Sequence, residues 1–67
     1  MKIYETIKKK RIEQKMSQDK LADLTGYRYS TAISKIENGE LDMPVSRLPL
    51  FAEALKCSVA DLVRNVR

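Results

Sequence analysis

The sequence predicts an all-α domain, a compact bundle of five short helices. Three observations predict it. Apolar residues recur at spacings of three and four, and no segment keeps the alternation of a half-buried strand. Helix-start and helix-stop residues punctuate the chain at short intervals. Both glycines and both prolines can be placed at helix ends or in first turns. A chain of 67 residues leaves room for a single domain, residues 1–67.

The first helix is expected from Ile3 to Lys15. Ile3, Ile7, Lys10 or Arg11, and Gln14 share one face, apolar at its start and polar further on. Ile12 falls off this stripe and has no assigned place, and Met16 packs where the chain turns. Ser17 is an N-cap for the second helix, because its hydroxyl can accept an unpaired backbone N–H. Asp19 places negative charge in the first turn, where the helix dipole favours it. Leu21, Ala22 and Leu24 form the apolar side, and Gly26 ends the helix.

The third helix starts near Tyr29 or Ser30 and stops at Asn38-Gly39, with Ile33 and Ile36 inward. A loop follows through Leu41 and Met43. The fourth helix covers Ser46 to Lys56, with Leu48, Phe51, Ala52 and Leu55 in one stripe. With Ser46 as N-cap, Pro49 sits in the first turn, where its missing N–H has no partner to lose. The fifth helix follows Ser58, which forms a capping-box pattern with Asp61. Val59, Leu62, Val63 and Val66 make it amphipathic.

Composition excludes several functions. There is no histidine and Cys57 is the only cysteine, so no intramolecular disulfide forms and no zinc-ligand spacing exists. No base–nucleophile pair is present. An enzyme, a metal site and a cofactor are therefore not expected. Cys57 reads as a small buried filler. A lone cysteine suits a reducing, cytoplasmic setting. No apolar run is long enough for a signal peptide or a membrane span. Nor is a small-molecule pocket evident. A domain this small buries only about 60% of its unfolded surface, so its core is marginal.

The net charge is +4, and its distribution matters more. Residues 1–35 hold nine basic and four acidic side chains, whereas residues 36–67 hold four and five. A basic half beside a neutral one fits a polyanion binder, or equally a solvated lysine-rich helix.

Residues 17–38 read as a helix, a short turn containing glycine, and a second helix. This is the form of a DNA-reading helix-turn-helix, although helical bundles also contain such pairs. Residue types sharpen the reading. With Ile33 and Ile36 inside, Ser30, Thr31, Ser34, Lys35 and Asn38 face outward. That face carries short donors and acceptors, one cation and no bulky aliphatic group. It can approach a major groove and hydrogen-bond to base edges and phosphates. The start of the second helix, at Ser17 and Gln18, offers backbone N–H groups to a phosphate. Gln18 either joins that contact or serves as a cap.

The motifs Ser17-Gln18-x-x-Leu21-Ala22, then Gly26, then Ile33-Ser34-Lys35-Ile36-Glu37-Asn38-Gly39, continue into Ala52-Glu53-Ala54-Leu55 and Asp61-Leu62. Together with Ile7 and Arg11 they resemble the phage repressor and Cro family, the XRE-like transcriptional regulators. The resemblance runs from Ile7 to Val63. It implies a lambda-repressor-like five-helix fold whose second and third helices read double-stranded operator DNA, usually as a homodimer on a palindromic site. By position, it implies that Gln18 contacts a phosphate and that Ser30, Thr31, Ser34 and Lys35 enter the major groove. Asn38 and the following loop would touch the DNA backbone. Arg11 and Glu37 match a structural ion pair between the first and third helices.

One departure from the family pattern is local. The interval from Gly26 to Glu37 is one position longer than usual. The extra residue falls among Tyr27, Arg28, Tyr29 and Ser30, lengthening the turn. It brings Arg28 near the DNA, as a phosphate or minor-groove contact or as a plain turn residue. Tyr27 and Tyr29 either pack on the bundle or touch DNA.

Affinity is expected mainly from phosphate neutralisation, and specificity from the third helix. That helix has no arginine, so modest specificity per monomer and a need for dimerisation follow. The expected dimer surface is the C-terminal helix with the loop near Leu41 and Met43. Val63 and Val66 either extend that surface or complete the core. The competing function is a protein-interaction module, such as an antitoxin or a partner-docking subunit, that shares the fold.

Overall fold

A computed structural model describes residues 2–63. Its helices are α1 (Ile3–Glu13), α2 (Gln18–Thr25), α3 (Ser30–Glu37), α4 (Leu48–Ala54) and α5 (Val59–Val63), with a short 3-10 helix, Val45–Arg47, leading into α4. Two helix starts are closed by side chains. The Ser17 hydroxyl accepts the Lys20 N–H at 3.0 Å and caps α2. At α5, Asp61 N–H donates to Ser58 Oγ at 3.0 Å while Ser58 N–H donates to Asp61 Oδ2 at 3.2 Å, a reciprocal capping box.

Four helix ends share one device, a left-handed residue followed by a backbone bond reaching back five positions. After α1, Lys15 has φ 55° and Met16 N–H donates to the Arg11 carbonyl at 3.1 Å. After α2, Gly26 has φ 84° and Tyr27 N–H donates to the Ala22 carbonyl at 2.9 Å. After α3, Gly39 has φ 78° and Glu40 N–H donates to the Lys35 carbonyl at 2.8 Å. After α4, Lys56 has φ 57° and Cys57 N–H donates to the Ala52 carbonyl at 2.9 Å. Glycine enters this conformation without a Cβ clash, and lysine does so at a cost.

The helices enclose one core. α2 packs against α3 and α4, α1 against α3 and α5, and α4 against α5. Each supplies at least one buried residue: Ile7, then Leu21 and Ala22, Ile33 and Ile36, Phe51, Ala52 and Leu55, and Leu62. Met16, Met43, Leu48 and Cys57 are half-buried against this cluster. The Gln14 side-chain amide donates to the Leu55 carbonyl, tying the end of α1 to the end of α4.

The structure corrects several sequence expectations. α1 stops at Glu13, because Lys15 leaves the helical conformation to close the turn. Ser46 does not cap α4. It lies within the 3-10 turn closed by the bond from Arg47 N–H to the Pro44 carbonyl, and Arg47 precedes the helix. Pro49 remains in the first turn of α4. Leu24 is exposed, and Thr25 takes the buried row instead, its hydroxyl donating to the Leu21 carbonyl at 2.7 Å. Ile12 is exposed on the outer side of α1. In α5 only Leu62 is buried, while Val59 and Val63 are exposed, and Val66 lies outside the described residues.

Two substitutions test the helix endings. Lys56→Gly should raise stability by up to about 1 kcal/mol, by relieving a left-handed lysine. Gly26→Ala should lower it by more than about 1 kcal/mol. A Cβ there would meet a positive φ and lie 2.8 Å from Arg47 Nη1. Thermal unfolding by circular dichroism reads both, and a lower Tm for Lys56→Gly would contradict the left-handed ending.

Candidate nucleic-acid interface

The surface built by α2, the turn at residues 26–29 and α3 is positioned by three sets of contacts. The first is ionic. Glu37 ends α3, where a carboxylate opposes the helix dipole, and its side chain is only 1% exposed. Arg11 answers it with two bonds, Nε to Oε2 at 2.6 Å and Nη2 to Oε1 at 3.1 Å. The remaining Arg11 nitrogen, Nη1, donates to the Met16 carbonyl at 2.7 Å. Gln18 Nε2 also donates to Glu37 Oε1, at 3.1 Å. One buried carboxylate thus joins α1, the first residue of α2 and the last residue of α3.

The second set holds the turn. Tyr27 points inward, its ring edge-on to Phe51 with centroids 6.2 Å apart. The Arg47 guanidinium lies 4.5 Å from the centre of the same ring. Arg47 Nη1 also donates to the Thr25 carbonyl at 2.7 Å, placing a cation at the C-terminal end of α2, where the dipole favours it. Arg28 and Tyr29 are left outside and exposed. The third set fixes the end of α3. Gly39 lies against the Tyr4 ring, so close that a Cβ would come within 3.0 Å of it.

These contacts leave one polar side of α3 uncovered. Ile33, Ile36 and Glu37 are buried, whereas Thr31, Lys35 and Asn38 are exposed in one row at spacings of four and three. Ser30 and Ser34 are half-buried beside that row, and Gln18 is half-buried at the start of α2. Among the described residues, no side-chain hydrogen bond engages Ser30, Thr31, Ser34, Lys35 or Asn38. A helix of eight residues is about 12 Å long, comparable to the width of a DNA major groove at about 12 Å. Arg28 is exposed in the turn, two residues before α3 begins.

Among the described residues, no group of histidine, cysteine and acidic side chains could hold a metal ion. Cys57 is half-buried. Burial pushes its thiol pKa up, with Asp61 acting in the same direction and Lys10 opposing, so the nucleophilic thiolate is disfavoured. No helix among these residues is long and apolar enough to cross a membrane.

For two contributors the partner carries no signal in the sequence. Arg47 lies 22 positions from the Thr25 carbonyl that it bonds. Gln14 reaches across 41 positions to Leu55. Neither residue type nor local spacing marks such partners.

With this geometry established, comparison with known proteins decides the class. A helix-turn-helix family model matches residues 7–62. The chain belongs to the helix-turn-helix family of the phage repressor and Cro type. The domain is therefore a DNA-binding one from a non-enzymatic family. Its fold is similar to that of the P22 c2 repressor, solved in complex with synthetic operator 9T in the presence of Tl+. The TM-score is 0.82 at 29% sequence identity, over 92% of each chain. No curated protein sequence matches the chain. The lambda-repressor-like five-helix architecture expected from the sequence is the one observed.

The buried ion pair yields a test of how the interface is positioned. Arg11→Met strands the Glu37 carboxylate and should cost about 3–5 kcal/mol. Arg11→Met combined with Glu37→Leu should recover much of that loss, because no charge is then left buried alone. Urea unfolding of the two variants and the parent measures both effects.

Proposed function

We propose that the protein is a sequence-specific transcriptional regulator, a small repressor or controller protein, that binds double-stranded DNA with α3 in the major groove. The observation that carries this reading is the uncovered polar row of α3 in a fold similar to a repressor bound to its operator. Ser30, Thr31, Ser34 and Lys35 are the side chains that reach base edges. Short hydroxyls require close approach of the helix, and the lack of any bulky group on this row permits it. Gln18, already oriented by Glu37, keeps a second amide N–H for a phosphate. Asn38 and Arg28, at the two ends of α3, contact the DNA backbone.

A homodimer on a palindromic operator suits the modest readout of one monomer. Its half-sites would lie about 34–36 Å apart. Exposed Leu41, Val45, Val59 and Val63 supply the apolar surface for it. Met43 contributes less than the sequence suggests, since it packs on the core. The reduced, unpaired Cys57 fits action in the cytoplasm.

Selection from a random duplex pool tests the reading, with the parent and Lys35→Ala in parallel. An inverted repeat should be enriched. Lys35→Ala should weaken binding or relax specificity at a symmetric pair of positions. The log of affinity should fall with log salt by about 0.9 per neutralised phosphate. Sedimentation with the selected duplex should show two protein chains per site. Recovery of no motif, with weak salt-sensitive retention only, would overturn operator binding and favour a protein-interaction module of the antitoxin kind.

A further inference from the structure

We infer that Tyr29 is a base-reading residue, its ring packing on the C5 methyl of a thymine at the edge of the half-site. The inference rests on α3 lying in the major groove, and adds an apolar contact that the rest of the reading surface barely provides. The two tyrosines of the lengthened turn have opposite fates. Tyr27 is consumed by packing between Phe51 and Arg47. Tyr29 is 68% exposed, and among the described residues no hydrogen bond or ring contact engages its side chain.

The backbone explains the difference. A helical Tyr29 would lie on the row of Ile33, four residues on, and point into the core. Instead Tyr29 is the residue before the first turn of α3, with φ −132° and ψ 149°. That extended conformation breaks the helical phase and leaves the ring outside. Tyr29 also provides no side-chain cap for α3, the task a short polar residue performs at this position. The sequence therefore gives up a stabilising cap here and presents an unpartnered aromatic ring instead.

The chemistry of the surroundings selects the partner atom. Ser30, Thr31, Ser34, Lys35 and Asn38 offer mainly hydrogen-bonding groups. In the major groove the thymine methyl is read by apolar contact, for which these residues offer little beyond the small Thr31 methyl. Residues at the N-terminal end of a recognition helix contact base edges. Tyr29 immediately precedes that end and carries a large exposed ring.

The test compares the parent, Tyr29→Phe and Tyr29→Ala on the selected duplex, with each thymine replaced in turn by uracil, which lacks only the methyl. Lys35→Ala serves as a control for the reading of α3. Circular dichroism first establishes that the variants keep the parent Tm. Tyr29→Phe should bind like the parent, and Tyr29→Ala about 5- to 10-fold more weakly. Uracil at one symmetric pair of positions should weaken the parent and Tyr29→Phe, but leave Tyr29→Ala unaffected. Equal losses for Tyr29→Phe and Tyr29→Ala, with no uracil effect, would assign the hydroxyl to a phosphate and overturn the inference. Unchanged binding by Tyr29→Ala while Lys35→Ala weakens would overturn it too, leaving the operator reading intact. Failure to select any motif would bring down both.

Discussion

The orientation of the reading surface depends on one buried carboxylate. Glu37 sits at the end of α3, where its own helix dipole disfavours it, and it is withdrawn from water. It is tolerated because Arg11 meets it with a planar two-point contact and Gln18 adds a third donor. A hydrophobic replacement could stabilise as well or better, so stability is a poor reason for the pair. Geometry is a better one. The donors come from the middle of α1 and the first residue of α2, and the acceptor from the last residue of α3. Their directional bonds set how the two helices of the motif are presented together.

A second constraint acts at the other end of α3. The turn from α2 is long, and a four-residue connection without anchors would let the helix start wander. Tyr27 prevents this by inserting between Phe51 and Arg47, while Arg47 holds the last carbonyl region of α2. The hydrophobic core therefore controls the turn directly. What remains outside, Arg28 and Tyr29, is held on a fixed frame even though it belongs to a loop. Together the carboxylate and the turn anchor define both ends of an eight-residue helix that has only two large apolar residues, Ile33 and Ile36, in the core.

In a small domain whose single cysteine allows no internal disulfide, the helix endings are closed by backbone bonds. Four consecutive helices stop by the same left-handed turn, and after α1, α2 and α4 the connection to the next helix is four residues long. Short connections keep little chain in unproductive loops, which limits the entropy lost per buried contact. Two of the four turns use lysine where glycine would be less strained. Marginal local conformations of this kind are common in proteins not driven to maximum stability.

The helical class, the cap at Ser17, the box at Ser58 and Asp61, and the stops at Gly26 and Gly39 follow from local chemistry, and the sequence by itself determines them. So does the alignment of Thr31, Lys35 and Asn38 on one side of α3, since Ile33 and Ile36 must face inward. The motif residues likewise point to the family, because both helices of the pair carry it in order. Tertiary structure alone decides the rest. Leu24, expected on the apolar side, is exposed and Thr25 is buried, because the neighbouring helices, not hydropathy, define which row is covered. Ser46 loses its capping role to a 3-10 turn closed by the Pro44 carbonyl. Tyr27 and Tyr29 are the same residue type two positions apart, and no local pattern separates them. Phe51, Arg47 and the extended backbone at position 29 do, and these partners meet only when the chain has folded.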